Sequence, residues 1–101
     1  MTHKQMCKLM QKALDEVAEM RDAGQKEYAH TEDNVFANFE RVSALTDVSR
    51  EKVLLVYLLK HIDGISSYVK GHESQRESVN GRITDAIVYL LLLKGMVHET
   101  S

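Results

Sequence analysis

Proline is absent and glycine occurs only five times, at positions 24, 64, 71, 81 and 95. So few breakers favour long helices. The single cysteine, Cys7, excludes an intramolecular disulfide, and a reducing cytoplasm is the setting this implies. Cys7 has no obvious activating group beside it, so a plain helix residue is the simpler reading than a nucleophile. Long hydrophobic runs are missing too. The longest, Ala86 to Leu93, has eight residues with Tyr89 inside it, whereas a membrane span needs about 20. The opening MTHKQMCKLMQK is too polar for a secretory h-region. Positive charge is also in short supply: the net charge of −2 leaves no basic footprint, so direct nucleic-acid binding is not expected. There is no Gly-rich phosphate loop, no nucleophile elbow and no Cys/His pattern with zinc spacing.

What is present describes one soluble, all-α domain over residues 1–101, a compact bundle of about four helices. Hydrophobic residues make up 44% and charged residues 28%, which suits a globular chain rather than a disordered one. From Thr2 to Ala23 the apolar residues Met6, Met10, Ala13, Leu14, Val17 and Met20 recur at helical spacing and predict one buried stripe. Glu16 and its neighbours read as the charged outer face of that helix. Thr31 or Asp33 is a candidate cap for a short second helix with the stripe Val35, Phe36, Phe39, Val42 and Leu45. Thr46 or Ser49 would open a third helix, ending at Gly71, and Ser74 with Glu77 has capping-box spacing for a fourth, reaching about Met96.

The third and fourth helices carry the apolar stretches Val53–Leu59 and Ala86–Leu93. A helix apolar all round is buried on several sides. One chain of 101 residues has little mass to cover two such helices, so a homo-oligomer, most simply a symmetric dimer, is the economical expectation.

A few polar residues interrupt these faces. His61 shares a face with Leu54, Leu58, Ile65 and Tyr68, so it is either a core histidine bonded to a neighbour or a ligand or proton-transfer group. Asp85 falls among Ser78, Gly81, Val88, Tyr89 and Leu92 and must be paired, hydrated or metal-bound. Arg82, three residues earlier, is its candidate salt-bridge partner. Lys60 suits a phosphate, Asp85 or plain solvent. The Asn38 amide suits a ligand or local backbone bonding, and Tyr28 suits ring stacking or a lid over the core. Residues 25–51 hold three Lys/Arg against six Asp/Glu, an acidic stretch that suits a metal, a basic partner or simple solvation.

The order Lys26-Glu27-Tyr28, Asp33-Asn34-Val35-Phe36-Ala37-Asn38-Phe39, Lys60-His61-Ile62, Glu77-Ser78 and Arg82-Ile83-Thr84-Asp85-Ala86-Ile87-Val88-Tyr89 resembles a specific group. These segments are similar to the small phage and prophage proteins of the nucleotide-modification-associated domain group, themselves similar to all-α MazG-like nucleotide pyrophosphatases. The resemblance covers residues 26–94, and the first helix adds nothing diagnostic to it. It implies a phage-type helical protein in the host cytoplasm that binds a nucleotide or nucleotide-like ligand. Tyr28, Asn38, Lys60 and His61 would then contact the ligand, and Asp63, Glu77 and Asp85 would hold magnesium. MazG-like enzymes hold that ion with paired acidic motifs on two helices, and the pairs look incomplete here, so the resemblance leaves catalysis open. The other expectation is a non-catalytic protein that inhibits a host defence complex, with the acidic 25–51 stretch as its contact surface.

Overall fold

The structure, a computed structural model, describes residues 1–24, 33–72 and 77–100. These form four helices and no strand: α1 (His3–Gly24), α2 (Ala37–Thr46), α3 (Arg50–Val69) and α4 (Val79–Thr100). The all-α architecture expected from the helical periodicity is therefore observed. The α3–α4 pair forms the body, with α2 packed on α3 and α1 on α4.

Local chemistry explains most helix ends. At α1 the Thr2 Oγ1 accepts from the Gln5 N–H at 3.1 Å while the Gln5 side chain accepts from the Thr2 N–H at 2.8 Å, a reciprocal capping box. Ser49 caps α3 by accepting from the Lys52 N–H at 3.2 Å. The end of α3 is a Schellman turn: Gly71 has φ +92°, its N–H donates to Tyr68 O, and the His72 N–H donates to Ser67 O. Two expected starts differ. Asn34 rather than Asp33 organises the entry to α2, accepting from the Phe36 N–H at 3.0 Å and donating to Glu40 at 3.0 Å. Thr31 and Ser74 lie outside the described residues, and at α4 it is Ser78 that accepts from the Gly81 N–H, at 3.0 Å.

The core gathers Phe36 and Phe39 of the α2 segment, Val53 and Leu54 of α3, and Met96 of α4. Leu54 and Met96 are fully buried. Phe39, Tyr57 and Tyr89 form an aromatic trio with ring centroids 5.9 to 6.4 Å apart. Phe36 reaches the surface of α4 at Gly95, where an added Cβ would stand 3.1 Å from the Phe36 ring. Arg50 locks the same end of the bundle. Its guanidinium lies 4.9 Å over the Phe36 ring and meets Glu99 at 3.0 Å, Glu51 at 3.3 Å and Glu40 at 3.8 Å. Burial alone would lower the Arg50 pKa, and the hydrogen bonds and charges of Glu99 and Glu51 outweigh it, holding the group above the usual arginine value.

Two expected burial patterns are corrected. Of the α1 stripe, only Val17 is buried, while Met6, Met10, Leu14 and Met20 are exposed. The helix docks on α4 through its C-terminal half, and its N-terminal half finds no neighbour among the described residues. The radius of gyration, 15.3 Å, accordingly exceeds the roughly 13 Å of a compact 100-residue domain. The apolar runs are likewise not buried all round: α3 turns Leu55, Val56 and Leu59 outward, and α4 exposes Ile83, Leu90 and Val97. Those last three recur every seven residues and so line one face of α4. No described helix is long and apolar enough to cross a membrane.

Candidate functional site

His61 is placed by the core. Leu54, Leu58 and His61 lie along the buried face of α3, and His61 is 8% exposed. Its ring stacks on Tyr89 of α4, with centroids 5.5 Å apart and planes inclined by 29°. Tyr89 is itself held by Phe39 and Tyr57, so the imidazole has little freedom to turn. Within this setting Nδ1 is buried and makes no hydrogen bond among the described residues. It points between two carboxylates, with Asp85 Oδ2 at 3.7 Å and Glu77 Oε2 at 3.9 Å. Both gaps exceed the 2.7–3.2 Å of an N–H···O bond. One potential ligand atom from each of His61, Glu77 and Asp85 falls within 4.8 Å of the others.

The carboxylates open onto a cleft between α1 and α4. It has a volume of about 550 Å³ and is lined by Glu16 and Glu19 of α1, Glu77, and Ser78, Thr84 and Asp85 of the α4 segment. Glu77 precedes the first turn of α4, where a carboxylate interacts favourably with the helix dipole. Met20 and Asp85 also border an adjoining cavity of about 320 Å³, whose other walls include Arg21, Phe39, Tyr89 and Leu92. Asp85 therefore stands where an acidic pocket passes into an aromatic and aliphatic one. That combination, an apolar floor with a few convergent polar groups, is how small-molecule sites are commonly built.

Of the residues expected at a site, the structure brings together His61, Glu77 and Asp85. Lys60 and Asp63 face elsewhere, onto a groove with Val56, Ser67 and Arg82. Helix geometry is the reason, because Asp63 lies about 200° around α3 from His61. Asn38 is exposed on α2, where its Oδ1 accepts from Arg41 Nη2 at 2.7 Å. Tyr28 lies outside the described residues. The expected Arg82–Asp85 pair is not formed. Arg82 instead crosses α3 at Gly64, where a methyl group would overlap its Cδ, Nε and Cζ, and its Nη1 stands 3.8 Å from Glu77 Oε2. Its Nε is buried without a hydrogen-bond partner.

Glu16, which the sequence places on a charged outer face, and Glu19 line the cleft and are the candidates that sequence reasoning missed. The signal was available: three residues apart on one helix, they are the carboxylate–x–x–carboxylate pair that a magnesium site calls for. The first helix thus supplies a wall of the cleft that the resemblance had not drawn on. The donor set is consistent with a divalent cation, because four carboxylates line one pocket and two of them, Glu77 and Asp85, flank the buried His61 Nδ1. No protein-family model, curated protein or solved structure matches the chain.

Proposed function

We propose that this chain binds a nucleotide or nucleotide-like ligand in the cleft between α1 and α4, with a divalent cation, magnesium in the simplest case, bridging it to the carboxylates. One observation carries the reading: His61 of α3 meets Glu77 and Asp85 of the α4 segment, and these two carboxylates line a cleft that α1 closes with Glu16 and Glu19. The adjoining cavity, floored by Phe39, Tyr89 and Leu92, offers a surface for a planar ring. The carboxylates themselves would repel a phosphate, so an ion between them is the physically consistent arrangement. When bound, such an ion neutralises phosphate charge and acidifies a coordinated water. The chain's own part is to hold the ligand oxygens, exclude water on the aromatic side and orient Asp85 between the two cavities. Relation to the nucleotide-modification-associated and MazG-like groups belongs to this proposal, and so does self-association. The outward apolar faces of α3 and α4 support the latter, and light scattering should return a mass above the 11.5 kDa of one chain.

The alternative, an inhibitor presenting its acidic 25–51 stretch, draws less support. Residues 25–32 lie outside the described residues, and Glu40 and Glu51 are engaged by Arg50. The deciding experiment is a nucleotide panel with magnesium, paired with mass spectrometry of ligands that co-purify. Asp85→Asn should weaken magnesium-dependent ligand binding by about tenfold or more, roughly 1.4 kcal/mol. A folded Asp85→Asn protein with unchanged affinity would sink the proposal.

A further inference from the structure

We propose that His61, Glu77 and Asp85 constitute a binding site for a first-row transition-metal ion such as zinc, and that this trio gives the cleft a preference for such an ion over magnesium. The inference rests on the cleft being the ligand site, but not on the ligand being a nucleotide.

The argument begins with the unpaired nitrogen. An unmet buried polar atom costs about 1–3 kcal/mol, so Nδ1 of His61 calls for a partner. Stacking on Tyr89 keeps the ring from swinging out to water. The two nearest oxygens stand too far away for a hydrogen bond, at 3.7 and 3.9 Å. Around a tetrahedral ion with bonds of about 2.0–2.1 Å, neighbouring ligand atoms sit roughly 3.4 Å apart. The Nδ1–carboxylate separations are thus a few tenths of an ångström from what such an ion imposes. Glu77, half exposed and ahead of the first turn of α4, has the freedom to supply that adjustment.

Donor chemistry then selects the ion. Magnesium takes an octahedral shell of oxygens and keeps several waters. An imidazole nitrogen with two carboxylates suits zinc and its neighbours in the first transition row. With three protein ligands a zinc ion would keep a coordination position free for a ligand, as sites that act on a ligand do and closed structural sites do not. Arg82, with its Nη1 at 3.8 Å from Glu77 Oε2, would act on that carboxylate as an outer positioning group.

The test uses the full chain, stripped with chelator and free of nucleotide, and titrates zinc calorimetrically against a background of millimolar magnesium. Cys7→Ser is introduced throughout, because Cys7 Sγ and His3 Nε2 lie 3.5 Å apart on the surface of α1 and form a second zinc-capable pair. The expected result is one zinc ion per chain. His61→Asn and Asp85→Asn should each weaken it by at least about tenfold, the lower end of what even outer-shell changes cost. Asp63→Asn, on the groove at the other side of α3, should leave it within about threefold. Cobalt in place of zinc should give visible absorption bands that vanish in His61→Asn. Circular dichroism verifies that each variant is folded. Zinc affinity equal in the parent and in folded His61→Asn would overturn the inference, as would zinc binding no tighter than magnesium. Zinc binding without affinity for any nucleotide would leave the inference standing and bring down the nucleotide reading. Magnesium-dependent nucleotide binding without zinc binding would do the reverse.

Discussion

The two ends of the α3–α4 pair are built on opposite principles. Where the start of α3 meets the end of α4, Leu54 and Met96 are fully buried, Phe36 seats against Gly95, and Arg50 is matched by Glu40, Glu51 and Glu99. Where the end of α3 meets the start of α4, His61 Nδ1 and Arg82 Nε are buried without hydrogen-bond partners, and four carboxylates share a cleft. The first end spends its residues on packing and the second leaves polar groups unmet. Each unmet group costs about 1–3 kcal/mol, a large fraction of the roughly 5–15 kcal/mol by which a domain is stable, so the second end is the less stable by construction.

Substitutions at the two ends should therefore move different observables. The largest expected effect on stability is at the packed end. Leu54→Ala should remove about 2–5 kcal/mol by combining lost burial with an unfilled cavity, read as a lowered midpoint in urea with cleft affinity unchanged in the folded fraction. Arg50→Met comes next. It keeps most of the side-chain volume over Phe36 but removes the cation–π contact and the 3.0 Å pair with the exposed Glu99, and a loss of about 1 kcal/mol is expected by the same measurement. An Arg50→Met protein as stable as the parent would show that packing alone holds that end.

Moving toward the cleft, Gly64→Ala sets overpacking against Arg82, roughly 1–3 kcal/mol, against about 1 kcal/mol of improved helix propensity. A net loss near 1 kcal/mol is expected, and displacement of Arg82 should appear as altered chemical shifts at Glu77. The smallest change, and one of opposite sign, belongs to His61→Leu. Removing the unmet Nδ1 should leave the thermal midpoint unchanged or raise it, by up to about 1 kcal/mol in stability, while ion binding in the cleft is lost. A marked fall in the midpoint of His61→Leu would erase the contrast between the two ends.

Some of this was legible in the chain and some was not. The Ser49 cap and the Gly71 terminus depend on residues within one turn and could be placed from local pattern. Phe36 and Phe39 follow from the spacing of α2, and His61 was conspicuous because its helical neighbours Leu54 and Leu58 are apolar. The spacing of Glu16 and Glu19 was legible but their place in the cleft was not, because a carboxylate pair on a charged face looks the same whether it meets water or another helix. Asp85 was readily given to Arg82 by proximity in sequence, yet Arg82 passes over Gly64 toward Glu77 and leaves Asp85 facing His61. The apolar runs suggested burial on all sides, but one chain covers only the inward half of each helix.

The helices follow from the chain alone, because periodicity, caps and the absence of proline act over a few residues and need no distant partner. So does the placing of a histidine and an aspartate on apolar faces. Only the tertiary structure decided that these two face each other, that Glu77 joins them, and that α1 brings a second pair of carboxylates to the same cleft. The reason is that hydrophobic burial sets which face of a helix turns inward without regard to direction. The choice of which polar group meets which is settled by how four helices dock, through contacts between residues far apart in the chain.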